Sequence, residues 1–492
     1  MTSRLRTLGR DLVVYGLGEV AVKAFGIITL PVYTRFLLPA EYGVYGYLST
    51  IVGLASAILI LGGDSAYARF FFAAKSDSER RTVTTTWIAF LGAWSLAAFV
   101  VVVPFSASIA TFSFGSPDQA ALVIIAIGAV PVAITNRMCG QILRNQFRPA
   151  AFTLLNVGAM ALTVGLSVIG VVVLRLGVTG LFAGALGAEL LLLPVRLWIT
   201  RDMFGASFTP AILRRLLAYG VPLVPMSIAY WIFLTSDRIV LARLSNLEQV
   251  GLYSVAVTLV AVPSIAIAAV GQAWSPHAIA AYEADIEDAG RLVARMSTTI
   301  LAGFGLLSVA ITAFAPEVLA ILSTPRYATA AAAVAPLALA MVAQASTNFT
   351  ALGMSLTKRT AYLAVLAWMA AGVNAGLNVL LDGSYGMLGA AWATTASYVA
   401  LTIGYHLVSQ RLWQVPYERR QAALAIIATV AFTLLAPALP ASGLVLTIIL
   451  KALYCIAFIA LLLALRVIDP AEVRSALRSA TPDSPAARPG PD

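Results

Sequence analysis

The chain has 492 residues, of which 60% are hydrophobic and 11% charged, with a formal net charge of +10 and a mean hydropathy of +0.90. A soluble domain is roughly a quarter charged, so a soluble globular protein is excluded, and the basic excess belongs to loops between apolar runs rather than to a nucleic-acid surface. Cys139 and Cys455 both lie in apolar segments; they read as small buried hydrophobes and exclude a disulfide framework or zinc spacing.

A membrane-crossing helix needs about 20 apolar residues. In chain order the sequence predicts fourteen: 12–34, 43–68, 83–105, 119–138, 151–174, 178–199, 215–236, 250–274, 297–315, 328–352, 361–381, 386–409, 421–438 and 443–465. The first follows a basic N-terminus, but its apolar run is too long for a signal-peptide core and lacks a small-residue cleavage site. It carries Glu19 and Lys23 at i, i+4, on one face where they can pair. Charge at membrane depth costs several kcal/mol unless it faces protein or a water-filled cavity, so this helix is expected to line a polar interior. The end 468–492, rich in Pro, Ala, Ser and Arg, is expected to be a solvated, disordered cytoplasmic tail.

Of the 32 Lys and Arg, 25 fall at the N-terminus, in the end from Arg466 onward and in the loops 69–83, 137–150, 196–215, 275–297, 353–360 and 411–420. The opposite loops hold Arg35, Arg175, Arg238, Arg243 and Arg326. This asymmetry predicts a multi-pass plasma-membrane protein with both termini in the cytoplasm.

The chain also repeats. Arg35, Gly43, Tyr45 and Gly63 recur as Arg243, Gly251, Tyr253 and Gly271, and Gly177 and Gly180 recur as Gly386 and Gly389. Six helices separate the copies, so they share an orientation and form a parallel repeat. The expected fold is all-α: two pseudo-symmetric six-helix lobes around a central cavity, residues 1–205 and 206–412, with two appended helices in 413–467. Glu19, Lys23, Glu41 and Asp64 map to Ser227, Trp231, Gln249 and Gln272, so the charge of the first lobe is not repeated at the matching positions of the second.

Three stretches resemble the polysaccharide flippases (Wzx-type, lipid-linked oligosaccharide) of the multidrug/oligosaccharidyl-lipid/polysaccharide exporter superfamily. They are RFLLPAEYGVYGYLSTI from Arg35, the segment Asn145–Leu181 with its Gly-Val-Thr-Gly turn, and TSDRIVLARLSNLEQVGLYSVA from Thr235. The resemblance spans helices 1–12. It implies a transporter that flips an undecaprenyl-diphosphate-linked oligosaccharide between leaflets by alternating access, for cell-surface polysaccharide biosynthesis. Lipid II flippases and cation-coupled multidrug exporters of the same superfamily are the alternatives. The implied partners are the lipid-linked glycan, membrane lipids, and a glycan polymerase or glycosyltransferases.

For Glu19–Lys23 two readings stand: a self-neutralising brace, or Lys23 on a lipid-linked diphosphate with Glu19 coupling H+ or Na+. Asp64, after the Gly62-Gly63 break, is either a cap or a cation site near the outer mouth. Glu189 is a further intramembrane acid. Arg137, at the inner end of helix 4, would begin a basic stripe with Arg144 and Arg148. Tyr230 and Trp231 could stack on sugar rings. Pro222 and Pro225 mark a bendable helix 7. Arg35, Asp237, Arg238 and Arg243 are assigned to gating or the lobe interface, and Lys451 to snorkelling. There is no Walker loop to bind ATP, and short outer loops argue against a membrane enzyme. No cofactor is expected beyond a coupling ion.

Overall fold

The computed structural model describes residues 18, 21–22, 24–205, 207–440 and 443–467. Among them are fourteen helices: α1 (24–36), α2 (Pro39–Ala73), α3 (Asp77–Phe114), α4 (Pro117–Asn145), α5 (Pro149–Val173), α6 (Gly177–Ile199), α7 (Pro210–Leu244), α8 (Leu247–Ala284), α9 (Ile286–Leu322), α10 (Pro325–Leu356), α11 (Ala361–Tyr385), α12 (Met387–Leu412), α13 (Arg419–Ala438) and α14 (Leu444–Ala464). Twelve of these are long and apolar enough to cross a membrane. The expected disordered tail, 468–492, lies outside the described residues.

Several helices outrun their apolar cores because polar residues cap them beyond the apolar zone. Ser76 accepts from the Glu79 amide at the start of α3, Asn246 from Gln249 at α8, and Asp285 from Glu287 and Asp288 at α9. The backbone amides on Asp285 hold its carboxyl below the usual carboxylate range.

The repeat reappears as packing. The pairs α3–α4, α4–α6 and α5–α6 recur six helices later as α9–α10, α10–α12 and α11–α12, and α7 packs on α11 as Gly18 of the first helix approaches Thr153 of α5. Turns match too. Gly177 and Gly386, both at φ +56°, open α6 and α12, and beside them lie Glu41 and its counterpart Gln249, whose Oε1 accepts from the Met387 amide at 3.0 Å.

The two halves meet at the arginine-poor end through α2 and α8. A Cβ on Gly43 would lie 1.7 Å from the Leu247 carbonyl, and one on Gly251 would lie 1.9 Å from that of Pro39. The related glycines therefore touch across the repeat axis, and a larger residue at either forces the helices apart. Tyr327 Oη donates to the Leu37 carbonyl (2.9 Å), and Thr34 Oγ1 to that of Leu322 (3.3 Å), closing the same end.

The appended helices are tied to α9. Lys451 Nζ reaches both carboxylate oxygens of Glu317 at 2.6 and 2.7 Å, and Ser308 bonds Thr433 at 3.0 Å. Lys451 is thus buried and paired rather than snorkelling, because Glu317 sits opposite it at the same depth.

Gly43→Ala is expected to lower stability by about 1–3 kcal/mol through overpacking, whereas Gly158→Ala, with nothing within 4 Å of the new methyl, keeps it or raises it by up to about 1 kcal/mol, because alanine favours a helix interior. Thermal unfolding in detergent measures both, and equal midpoints would refute the close packing of α2 on α8.

Candidate functional site

A cavity of about 970 Å³ lies among the first six helices, toward the arginine-rich end. Gly18 and Val22 of the first helix, Asp64 of α2, Arg137 and Arg144 of α4, Asn156 of α5, and Glu189 and Arg196 of α6 line it.

Two kinds of charge meet here. Arg137 pairs with Asp64 through both carboxylate oxygens, Nε reaching Oδ1 at 3.3 Å and Nη2 reaching Oδ2. Both side chains remain open to the cavity. Beside them is a more deeply buried network, centred on Asn136 and Arg196. Asn136 Nδ2 donates to the Glu189 carboxylate (2.5 Å) and carbonyl (2.8 Å). Arg196 donates to the Asn136 carbonyl (2.8 Å) and to Asn156 Oδ1 (3.1 Å). The exposed pair can be exchanged for a ligand; the buried network holds α4, α5 and α6 together.

Asp64 is not at the mouth opposite the basic end. The chain bends at Leu61 and Gly62, with φ +52° and +66°, and resumes as helix for eleven residues, which carries Asp64 inward to Arg137. The basic stripe divides: α4 ends at Asn145, so Arg144 lines the cavity while Arg148 turns into a separate recess. Glu19 and Lys23 lie outside the described residues, although Gly18 and Val22 of the same stretch line the cavity.

Tyr230 and Trp231 are not among the residues of this cavity. Tyr230 is exposed, and the Trp231 indole packs over Gly53 of α2, 3.2 Å from where a Cβ would stand. Arg35 is exposed in the last turn of α1, whereas Arg243 stacks on Phe112 of α3 at 3.6 Å. Asp237 and Arg238 do not close α7, which continues to Leu244; Asp237 is buried and accepts from Tyr253 Oη.

Pro222 and Pro225 sit where α7 breaks, at the short turn Val221–Leu223. That break docks on the break in α2: a Cβ on Gly62 would lie 2.4 Å from the Gly220 carbonyl, and one on Gly220 2.3 Å from that of Leu61. Before it, Leu216 and its neighbours pack on Tyr67, Phe71 and Trp87 of the first half. Beyond it, α7 packs on α11.

A second polar cluster was not anticipated. Asp382 of α11 is fully buried, with neither carboxylate oxygen partnered among the described residues. Asn378 and Asn374, joined at 3.0 Å, lie one and two turns before it, and the Asn374 oxygen faces Ser236 of α7. The Asp-Gly pair at 382–383 reads as a turn in sequence, but α11 runs on to Tyr385. Arg196 was missed because it counts with the basic loop 196–215, although the predicted helix 178–199 contains it and α6 does end at Ile199.

A family model described as polysaccharide biosynthesis protein matches residues 8–281. No curated protein matches the sequence. Among solved structures, the fold is similar to that of the lipid II flippase MurJ in an inward closed conformation, with a TM-score of 0.73 and 12% identity over 91% of this chain and 98% of that one. It is also similar to an inward-facing multidrug resistance MATE family transporter, with a TM-score of 0.59 and 16% identity over 80% of this chain and 94% of that one. The outward-facing form gives 0.57 and 16%, over 82% and 94%.

Asn136→Ala is expected to cost about 1–3 kcal/mol, since it takes the amide donor from the Glu189 carboxylate. Asp64→Asn is expected to cost less than about 1 kcal/mol, as for other solvated pairs. Thermal unfolding of the two variants checks this division, and equal losses would count against it.

Proposed function

The chain belongs to the polysaccharide biosynthesis protein family, and on that footing we propose that it flips an undecaprenyl-diphosphate-linked oligosaccharide from the inner to the outer leaflet of the plasma membrane. The observation that carries this reading is the cavity among the first six helices. It is wide enough for a polar headgroup, and it offers Arg137, balanced by an exchangeable carboxylate, at its arginine-rich end. An incoming diphosphate can take the Arg137 guanidinium from Asp64 in a bidentate charge-assisted contact. Arg144 extends the positive surface, and Gln141 and Asn156 supply hydrogen bonds suited to sugar hydroxyls. Lys23 belongs to the same proposal as a second cation for the diphosphate.

The charge asymmetry supports an arginine-rich end in the cytoplasm, where lipid-linked precursors are assembled. Glycosyltransferases would then supply the substrate, and a polymerase or ligase would consume it on the far side. A lipid II flippase is the second reading. It is favoured by a fold likeness that spans 91% of this chain, against 80–82% for the two MATE forms above.

Energy would come from a cation gradient. A buried carboxylate without a protein partner requires a proton or a cation, and Asp382 meets that description, with Asp237 and two asparagines near it. Asp64 and Glu189, the ion-coupling candidates from sequence within the described residues, already have protein partners.

Proteoliposomes loaded with undecaprenyl-diphosphate oligosaccharide or lipid II, under imposed Na+ or H+ gradients, test the proposal. Flipping of the oligosaccharide carrier is expected to exceed that of lipid II. Arg137→Ala should slow it by about tenfold or more, the scale of one lost charge-assisted contact, with insertion unchanged. Asp382→Asn should abolish the dependence on the gradient. Normal flipping by Arg137→Ala would overturn the assignment of the cavity.

A further inference from the structure

A recess of about 620 Å³ lies at the arginine-rich end, apart from the cavity. It is formed by the end of α2, the start of α3, the α4–α5 turn and the short turn Arg201–Met203. Its acids are already engaged. Asp77 takes Arg80 Nη1 at 2.9 Å, and Asp202 takes Gln146 Nε2 at 3.4 Å. Its donors are not. Asn145 is buried, yet its Nδ2 has no partner among the described residues; nor has Arg80 Nε. Arg81 and Arg148 stand exposed at the rim. Gln146 Oε1 is a buried acceptor likewise without a partner. The chemistry asked for is an anion with several acceptor oxygens that also carries a hydroxyl.

The rim adds an apolar element. The rings of Phe72 and Phe147 pack at 5.9 Å between centroids while 53% and 74% exposed. Phe147 stands at φ +55°, a left-handed position at a helix end that glycine fills without strain. The fold holds an aromatic ring there and points it outward. At the end of membrane-crossing helices, such a ring lies where headgroups meet acyl chains.

We propose that this recess binds the phosphate of an anionic glycerophospholipid of the surrounding bilayer. Arg80, Asn145 and Arg148 hold the phosphate, Gln146 accepts from a headgroup hydroxyl, and an acyl chain lies on Phe72 and Phe147. The bound lipid ties the α2–α3 turn to the α4–α5 turn. The site is separate from the transport cavity, so it is tested by binding alone.

The full-length protein in detergent is titrated with phosphatidylglycerol, phosphatidylcholine or soluble glycerol phosphate, and read by thermal unfolding and by native mass spectrometry of retained lipid. Phosphatidylglycerol is expected to raise the unfolding midpoint, and the other two are not. Arg148→Gln should weaken its retention about fivefold, the scale of one basic residue at an anionic headgroup, and Arg148→Lys should restore most of it. Phe147→Gly should keep or raise the midpoint of the lipid-free protein, because the backbone strain is relieved, while reducing phosphatidylglycerol retention. Equal effects of phosphatidylglycerol and phosphatidylcholine would overturn the proposal. So would glycerol phosphate acting as well as the lipid, or undiminished retention by Arg148→Gln or Phe147→Gly.

Discussion

Inside a bilayer there is no water to complete a hydrogen bond, so the chain must partner its own polar groups. Much of this fold answers that constraint. Hydroxyls in the spans donate back to carbonyls one turn earlier, as at Thr50 and Ser95, or across to a neighbouring helix, as from Thr395 of α12 to the Pro336 carbonyl of α10 at 2.6 Å. Glu317 and Lys451 neutralise one another between α9 and α14. Such a buried pair adds little to stability over apolar packing, but losing one partner costs about 3–5 kcal/mol, so it fixes where α14 can sit. Asn136 does comparable work without a charge of its own. One amide group reaches Glu189, and its backbone carbonyl receives Arg196, so α4 and α6 are registered through one residue, and Arg196 extends the link to Asn156 of α5. Asp382 differs: it is as deeply buried as Asn136, but it is a carboxylate with neither oxygen partnered among the described residues.

The repeat and the seal have one physical origin. Two copies of a six-helix unit can approach closely only where side chains vanish, and Gly43 and Gly251 supply that place on both sides of the axis. Function then requires the copies to differ. Glu41, whose carboxylate accepts from the Leu38 amide at 2.7 Å, has become Gln249, which reaches across to the α11–α12 turn instead. Asp237 and Asp382 correspond to Thr29 and Val173 at offsets of 208 and 209. Charge is therefore not confined to the first half. The first half places a cationic cavity toward its arginine-rich end, and the second places buried acids toward the arginine-poor end.

The fourteen helices and the repeat were legible because apolar length and recurring glycines are local signals. Positions within helices were less so. Asp237 and Asp382 each fell just past the predicted end of an apolar run and read as loop or terminal residues. Helices end where capping and hydrogen bonding end, not where hydrophobicity does, and α7 and α11 each continue past these residues. The partnership of Asp64 with Arg137 depends on a bend at Leu61–Gly62 that swings a later segment of α2 toward α4. A Gly-Gly-Asp sequence announces a break but not its direction.

Helix α7 joins these observations physically. Its first segment is packed among side chains of α2 and α3, and its second lies against α11 and carries Asp237 beside the tyrosine of α8. Between them, the Gly220–Leu223 break rests on the Leu61–Gly62 break of α2, with backbone touching backbone and no side chain interposed. Asp64 follows that contact by two residues. A rotation of the second half about this point would drag α7 against α2 and change the approach of Asp64 to Arg137. At the point of contact the apposed breaks present only backbone to one another. A charge taken up or released beside Asp237 therefore acts on a helix whose other end is already embedded next to the cavity.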